Sequence, residues 1–441
     1  MLKTILHQIK NQKRQNAWIF IELVVVFVFL WLVIDPLFML TANRMIPANY
    51  EQDRLYYAIL GEYPPTHPSY SEEANADSIR KNNYFHQLAI LRRLPEVENY
   101  CIASVNSIPN SGSWSGGQLF TDTADVKKDD YVHIQLFETV RYEGSDFFGT
   151  YRFRDAHTGE VMKPDADIRK MYISAYAAQR LFGTTDAVGK TLIYNDETVT
   201  IGGVFADVKY ADYEQPYPMV VKIAPEMDAP VRYWKWRYCF LFRLKEGVDV
   251  EAFKQRFQAE VAPALSIGNA YCKDFTSVEE LSRQFVRRSG VANKLRLQYA
   301  LTGFALFCIF LGMLGTFWIR AKARRQEIGL MRSMGASSGR IIRQFLTEAW
   351  LLVTLAFVPA VLILLNYVWA NGMVTGVDFV MGHTSNHELL DPAYGQNRPV
   401  THFVIVTLVS YLLLLIIALC GTAIPVNRAV KTLPAEALRD E

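Results

Sequence analysis

The sequence predicts an α-helical membrane protein with four transmembrane helices and a large α/β (α+β) extracytoplasmic domain inserted between helices 1 and 2. Three observations predict it: four apolar runs long enough to cross a bilayer, a gap of 256 residues between the first and second run, and basic residues concentrated in two of the short segments. Composition alone leans elsewhere. Over 441 residues, 51% hydrophobic and 20% charged, with net charge +2 and mean hydropathy +0.06, the averages would suit a slightly apolar soluble enzyme. They exclude a disordered chain, a collagen and a disulfide scaffold, and they point to no nucleic acid partner.

The apolar runs are residues 17–40, 297–319, 345–367 and 403–425, and a helix needs roughly 20 residues to span the hydrocarbon core. The first run is too long for the apolar region of a cleaved signal peptide, and no small-residue cleavage site follows at Thr41 to Arg44. Orientation follows from the loops. Residues 1–16 carry Lys3, Lys10, Lys13 and Arg14 without an acid, and residues 320–344 carry seven Lys or Arg against Glu327, so both are expected in the cytoplasm. Residues 368–402 sum to −2 and are expected outside; the tail 426–441 is neutral and returns inside. Residues 41–296 then form the exterior domain. The inside segments are too short for a folded catalytic domain, which usually needs about 50 residues or more as one core, so ATPase activity is expected on a separate chain.

Before the first span, Leu2, Ile5, Leu6 and Ile9 lie opposite Lys3, His7 and Lys10, the pattern of an amphipathic helix on the inner surface of the lipid bilayer. Within the exterior segment, Asn82–Leu91 reads as a helix ended by Pro95, and Tyr100–Val105 as a strand. Residues 110–130 are rich in Gly, Ser and Asp and read as a loop or the seam of an inserted subdomain; 131–170 read as strand-rich. Ser174 can cap a helix that Gly183 ends, and Asn195-Asp196 can turn a hairpin between TLIY and TVTIGGVF. Tyr238–Leu244 alternates as a strand, Glu246-Gly247 turns, and Asp249 can cap a helix carrying Phe253, Phe257 and Val261.

Few residues suggest chemistry. Gly189-Lys190-Thr191 resembles a phosphate-binding loop, but five residues separate its glycines where four are needed, and it follows a helix rather than a strand. His383 and His387 have a spacing that could hold a metal on a helix, yet a polar surface loop is the plainer reading. No Ser/His/Asp or Cys/His set has supporting context. Of five cysteines, Cys308 and Cys420 lie in spans, and the odd three outside, Cys101, Cys239 and Cys272, allow at most one bridge. No catalytic, cofactor-binding or metal residue is assigned.

The informative element is the basic loop Arg320–Arg343. A helical stretch meets a breaker at Gly335-Ala336, hydroxyls at Ser337 and Ser338 can cap the next helix, and Ile328, Met331 and Met334 make a small apolar face between charges. Charge alone would serve as a lipid anchor. An apolar knob flanked by Glu327 and Arg332 is instead shaped for a groove on a partner. Within the spans Glu22 and Glu348 are costly in lipid, about 3 kcal/mol each at mid-membrane. Both lie near the inner ends; packing against a partner helix is the reading for Glu348, and none is chosen for Glu22.

These residues carry a resemblance. QEIGLMRSMGA (326–336) followed by RIIRQFLTEAWLL resembles the coupling segment of FtsX/MacB-type ABC transporter permeases, including Glu348, and the tail Pro434–Arg439 is similar to that family's ending. Leu94–Tyr100 and Ala177–Val208 resemble the MacB-type periplasmic core domain. The resemblance implies a multi-pass protein of the cell inner membrane, a permease homodimer or heterodimer, and a separate ATP-binding subunit that uses ATP and Mg and grips Glu327, Ile328, Gly329, Leu330, Met331, Arg332, Met334 and Gly335. Two functions fit it: export of a small molecule, peptide or lipid-linked cargo, with a possible periplasmic adaptor, or non-transporting mechanotransmission or sensing that regulates an extracytoplasmic enzyme. Residues 107–170 match the family poorly, which leaves the cargo unnamed.

Overall fold

The computed structural model describes residues 13–109, 111, 115–128, 130–210, 215–224, 238–288, 290–373 and 399–431. The expected amphipathic segment at Leu2–Lys10, the His383/His387 pair and the tail motif Pro434–Arg439 lie outside the described residues. The chain divides into a membrane unit and an inserted unit.

In chain order the elements are α1 (Lys13–Met45), β1 (Leu55–Glu62), α2 (Asp77–Arg92), β2 (Val97–Ser104), β3 (Gly116–Leu119), α3 (Thr123–Lys128), β4 (Val132–Val140), α4 (Phe147–Tyr151), β5 (Met171–Ser174), α5 (Ala175–Phe182), β6 (Thr191–Tyr194), β7 (Glu197–Phe205), β8 (Met219–Ala224), β9 (Tyr238–Leu244), α6 (Val250–Arg256), β10 (Ala270–Ser277), α7 (Val278–Arg288), α8 (Val291–Ala323), α9 (Arg325–Ser333), α10 (Ser338–Asn371) and α11 (Pro399–Lys431). The inserted unit is a mixed α/β domain. Its strands run in the order β10-β1-β9-β2-β4-β8-β5-β7-β6, with β3 on the side of β4. Two pairs are parallel, β4 with β8 and β5 with β7.

Strand alternation builds a core on each face of this sheet. Along β9, Cys239 and Leu241 enter a cluster with Leu55, Tyr57, Phe137, Phe147 and Phe153. Phe240, Phe242 and Leu244 point the other way and pack with Leu88 and Leu91 of α2 and with Phe253 and Phe257. A third core joins β4, β5, β7 and β8 to Ala177 and Ala178 of α5. The central strands β5 and β9 bury both faces, so their sequences are apolar at nearly every position rather than at every second one, whereas the edge strand β10 has no buried residue.

Local signals act as their chemistry requires. Ser174 Oγ accepts from Ala177 N–H at 3.2 Å, and Gly183 ends α5 at φ +67°, where a Cβ would be strained. Asn195 and Asp196 both adopt positive φ in the β6–β7 hairpin, the type I′ condition. Asp249 accepts from Glu251 and Ala252 N–H at the start of α6, after which Phe257–Val261 widens into a π turn that keeps Phe257 and Val261 inward. Expectations for 110–130 and 131–170 need revision. The first holds β3 and α3, and the second holds one strand, β4, then the short helix α4 and irregular backbone; Phe147, Phe148, Tyr151 and Phe153, which read as strand residues, fill a core instead.

One buried cation secures the domain. The Arg243 guanidinium, on β9, donates to the carbonyls of Thr150 (2.9 Å), Asp53 (2.9 Å) and Glu51 (2.7 Å), so one side chain holds both the α1–β1 connection and the end of α4. The cysteines are free thiols. Burial raises Cys101 and pushes Cys239 up to about 12, so neither ionises near neutrality.

The membrane unit contains α1, α8, α10 and α11, each long and apolar enough to cross a membrane. At 33 or 34 residues they are ~50 Å long against a hydrocarbon core of ~30 Å, so their ends project. Leu23, Phe27, Leu30 and Trp31 of α1 pack with Met313, Leu352, Ala356, Leu414 and Ala418. The outward faces stay apolar, as Phe304, Phe307, Leu362 and Leu412 show.

Candidate functional site

The segment between α8 and α10 folds back on the ends of the membrane helices. Its helix α9 has two faces, set by the 3.6-residue period. Ile328 is 1% exposed and packs with Ala321, Ile341, Phe345, Val426 and Val430, with Met331 and Ala336 partly buried beside it. Gly329 is buried as well, which lets α9 approach its neighbours closely. On the other face Gln326, Leu330, Ser333 and Met334 are exposed, Leu330 by 53% and Met334 by 72%.

This corrects the expected knob. Ile328 and Met331 were read as presented to a partner because they stand between charges, but the nearest apolar surface is the chain's own. The apolar side chains available on α9 are Leu330 and Met334, spaced i, i+4, with Gln326 one turn before them.

A Schellman turn ends α9. Ala336 N–H donates to Met331 C=O and Gly335 N–H to Arg332 C=O, both at 3.0 Å, with Gly335 at φ +88°. Gly335 therefore makes the reversal that its position suggests. The serines behave differently from expectation: Ser337 stands at the N-cap of α10 without a side-chain capping bond, and Ser338 Oγ accepts from Arg332 Nη1 at 3.0 Å. Arg332 thus bridges α9 to α10 from the turn itself.

Beneath α9 lies a charged network that the sequence reading did not assemble. Arg324 donates from Nε and Nη2 to both oxygens of Glu327, at 2.6 and 2.8 Å, and from Nη1 to Glu348 Oε2 at 2.6 Å. Arg320 donates to Glu348 Oε1. The Arg324 guanidinium also stacks over Phe345, 4.4 Å from the ring centroid. Two cations and two anions are balanced. Glu348 is 2% and Arg324 6% exposed, so charges that would be costly singly are mutually neutralised. Glu348 was expected to pack against a partner helix; it is instead held by arginines of α8 and of the α8–α9 junction in its own chain. A spacing cue existed, since Arg320, Arg324 and Glu327 share one helical face, but only packing brings in Glu348 from α10.

Glu22 of α1 is half-buried and accepts from Thr316 Oγ1 of α8 at 3.0 and 3.2 Å. The Thr316 hydroxyl thus gives the acid a hydrogen-bond partner on a neighbouring helix. Elsewhere, Lys190 lies over the Phe182 ring at 5.0 Å, in the turn that resembles a phosphate loop. Among the described residues no group of three or more His, Cys, Asp or Glu could hold a metal. The arrangement around α9 offers no nucleophile or acid-base pair. What it can do is mechanical: an exposed apolar edge on a short helix whose other side is tied by packing and ion pairs to α8, α10 and α11.

Comparison with known proteins is consistent in both units. Residues 37–260 match the family model of the MacB-like periplasmic core domain, and residues 299–434 that of the FtsX-like permease C-terminal region. The chain is 23% identical over 228 residues to the macrolide export ATP-binding/permease protein MacB of Salmonella paratyphi A, covering 50% of this chain and 34% of that one. It is also 23% identical over 234 residues to MacB of Chromobacterium violaceum, covering 52% and 35%. The chain thus spans about a third of the length of the curated relatives it matches. Among solved structures, the periplasmic region of MacB from Actinobacillus actinomycetemcomitans aligns with a TM-score of 0.32 and 9% identity, over 53% of this chain and 92% of that one.

Proposed function

The chain belongs to the FtsX/MacB-type permease family, with a MacB-like periplasmic core domain and an FtsX-like membrane region, and from this premise we propose that it is the permease subunit of an ABC transporter. An ATP-binding subunit, separate from the segment described here, hydrolyses ATP with Mg and seats on the Gln326, Leu330 and Met334 face of α9. The α9 loop and both termini face the cytoplasm, as the basic segments favour, and the inserted domain faces the periplasm. Two permease chains, identical or related, complete the assembly in the cell inner membrane.

The observation that carries this reading is the asymmetry of α9. Its apolar edge is open while its opposite side is bonded to the membrane helices, so a displacement applied at Leu330 and Met334 reaches α8 and α10 through Arg324, Glu327, Glu348 and Arg332. Only a partner that binds two permease states with different affinity can drive such a shift. The work is spent on export of a small molecule, peptide or lipid-linked cargo by movement of the periplasmic domain.

The test is co-purification of the ATP-binding subunit with the double variant Leu330→Glu/Met334→Glu. Both positions are exposed, so the membrane chain should accumulate normally while retention of the ATPase falls at least tenfold. Undiminished retention and ATPase stimulation would remove α9 from the docking role. Undiminished export by a complex that retains the ATPase but whose Arg324–Glu348 network is broken would refute the relay.

A further inference from the structure

At the end of the membrane helices that leads into the inserted domain, α1 and α11 share a second buried polar pair. Asp35 is 3% and His402 2% exposed, and His402 Nε2 lies 2.7 Å from Asp35 Oδ1. Neither atom has a hydrogen-bond partner among the described residues, so the contact is a close approach, within ion-pair range, of two buried polar groups. The Phe38 ring leans on the imidazole at 4.9 Å, and about one turn further in Trp31 Nε1 donates to Thr407 Oγ1 at 3.1 Å, both buried. Pro36 follows Asp35 and removes one intrahelical bond, so α1 is least stiff at the place where this pair holds it.

We propose that Asp35 and His402 form a latch that fixes α1 to α11, so that the two helices move together at this end. Pulling the helices apart strands each group without its partner. The other titratable or charged side chains on the same halves of the four helices are Arg44 on α1, Lys294, Arg296 and Tyr299 on α8, Tyr367 on α10 and Tyr411 on α11. Arg44, Lys294 and Arg296 lie within two turns of their helix ends. Tyr411 Oη is 2.9 Å from Thr354 Oγ1. The latch gives α1, which runs on into the inserted domain, a specific helix to follow. It is a property of the membrane helices alone and stands whether or not α9 docks an ATPase.

The experiment uses the full chain in lipid nanodiscs with 15N-labelled histidine, the His402 signals being assigned by comparison with His402→Gln. With 13C-labelled aspartate added, the His402 imidazole nitrogen should show a through-space coupling to the Asp35 carboxyl carbon, as a separation of 2.7 Å between Nε2 and Oδ1 requires. Absence of that coupling would overturn the latch. A double-mutant cycle supplies the coupling: Asp35→Ala and His402→Ala should each lower the unfolding midpoint, and the double variant should fall no further than the worse single one. Additive losses would mean that the two side chains do not act as a pair. The spectra need only the wild-type chain and the assignment control, so they decide the question even where an alanine variant does not fold.

Discussion

Replacing Glu348 by alanine should be the most damaging single change in the loop-end network. Its carboxylate is shared by Arg320 and Arg324, whose side chains are 12% and 7% exposed, while Glu348 itself is 3% exposed at the side chain. Removing one member of a buried ion-pair set leaves uncompensated charge and costs about 3 to 5 kcal/mol, against about 1 kcal/mol or less for a partly exposed pair. Glu327 belongs to the second class. Its side chain is 30% exposed, and in Glu327→Ala the Arg324 guanidinium keeps Glu348. Unfolding of the chain in mixed micelles with increasing denaturing detergent should therefore show a loss several times larger for Glu348→Ala than for Glu327→Ala, with Glu348→Gln between them. A triple replacement, Arg320→Met/Arg324→Leu/Glu348→Met, removes the buried charges together, leaves the partly exposed Glu327 to solvent, and should recover most of the stability while stimulation of the partner ATPase stays lost. Equal losses for the two alanine variants would refute the reasoning, because they would mean that the buried carboxylate carries no more than a surface one.

Other consequences are as specific. Gly335→Ala places a side chain at φ +88°, where open space surrounds the new Cβ but the backbone is strained, so a loss of about 1 to 2 kcal/mol and weaker ATPase coupling are expected by the same assays. Arg243→Ala leaves the carbonyls of Thr150, Asp53 and Glu51 without that donor and should destabilise the periplasmic domain by about 3 kcal/mol, read by its thermal midpoint. Arg243→Lys should recover only part of it, since one ammonium cannot reproduce the planar fork. Alkylation of Cys101 and Cys239 in the native chain should be negligible at about pH 8 and rise when the domain unfolds, since burial raises both thiols, Cys239 to about 12, and keeps them protonated near neutrality.

Much of the architecture was legible because it depends on one-dimensional signals. Four apolar runs are sufficient for four helices, as lipid leaves the backbone few other ways to satisfy its own hydrogen bonds. Ser174, Gly183, Asn195-Asp196 and Asp249 act within a few residues of themselves, and the structure uses each as its local chemistry suggests. Residues 131–170 were misread because Phe147 to Phe153 is apolar at the density of a buried strand, while α4 places these rings in a core that residues of β2, β4 and β9, among other strands, also line. On α9 the period located an apolar face, yet the period cannot say which face meets the chain's own helices. Ile328 went inward because Ile341, Phe345 and Val426 were already there to receive it.

By itself, then, the sequence determined the membrane helices, the caps at Ser174, Gly183 and Asp249, the division into a membrane part and an inserted domain, and the family, since all of these follow from runs, spacings and local motifs. Tertiary structure decided the partners of the charges. Glu348 meets Arg320 and Arg324, and Asp35 meets His402 across 367 positions of chain, because desolvation makes a buried polar or charged group costly unless packing brings a partner within reach. That pairing is a property of three-dimensional proximity and leaves no periodic trace along the chain.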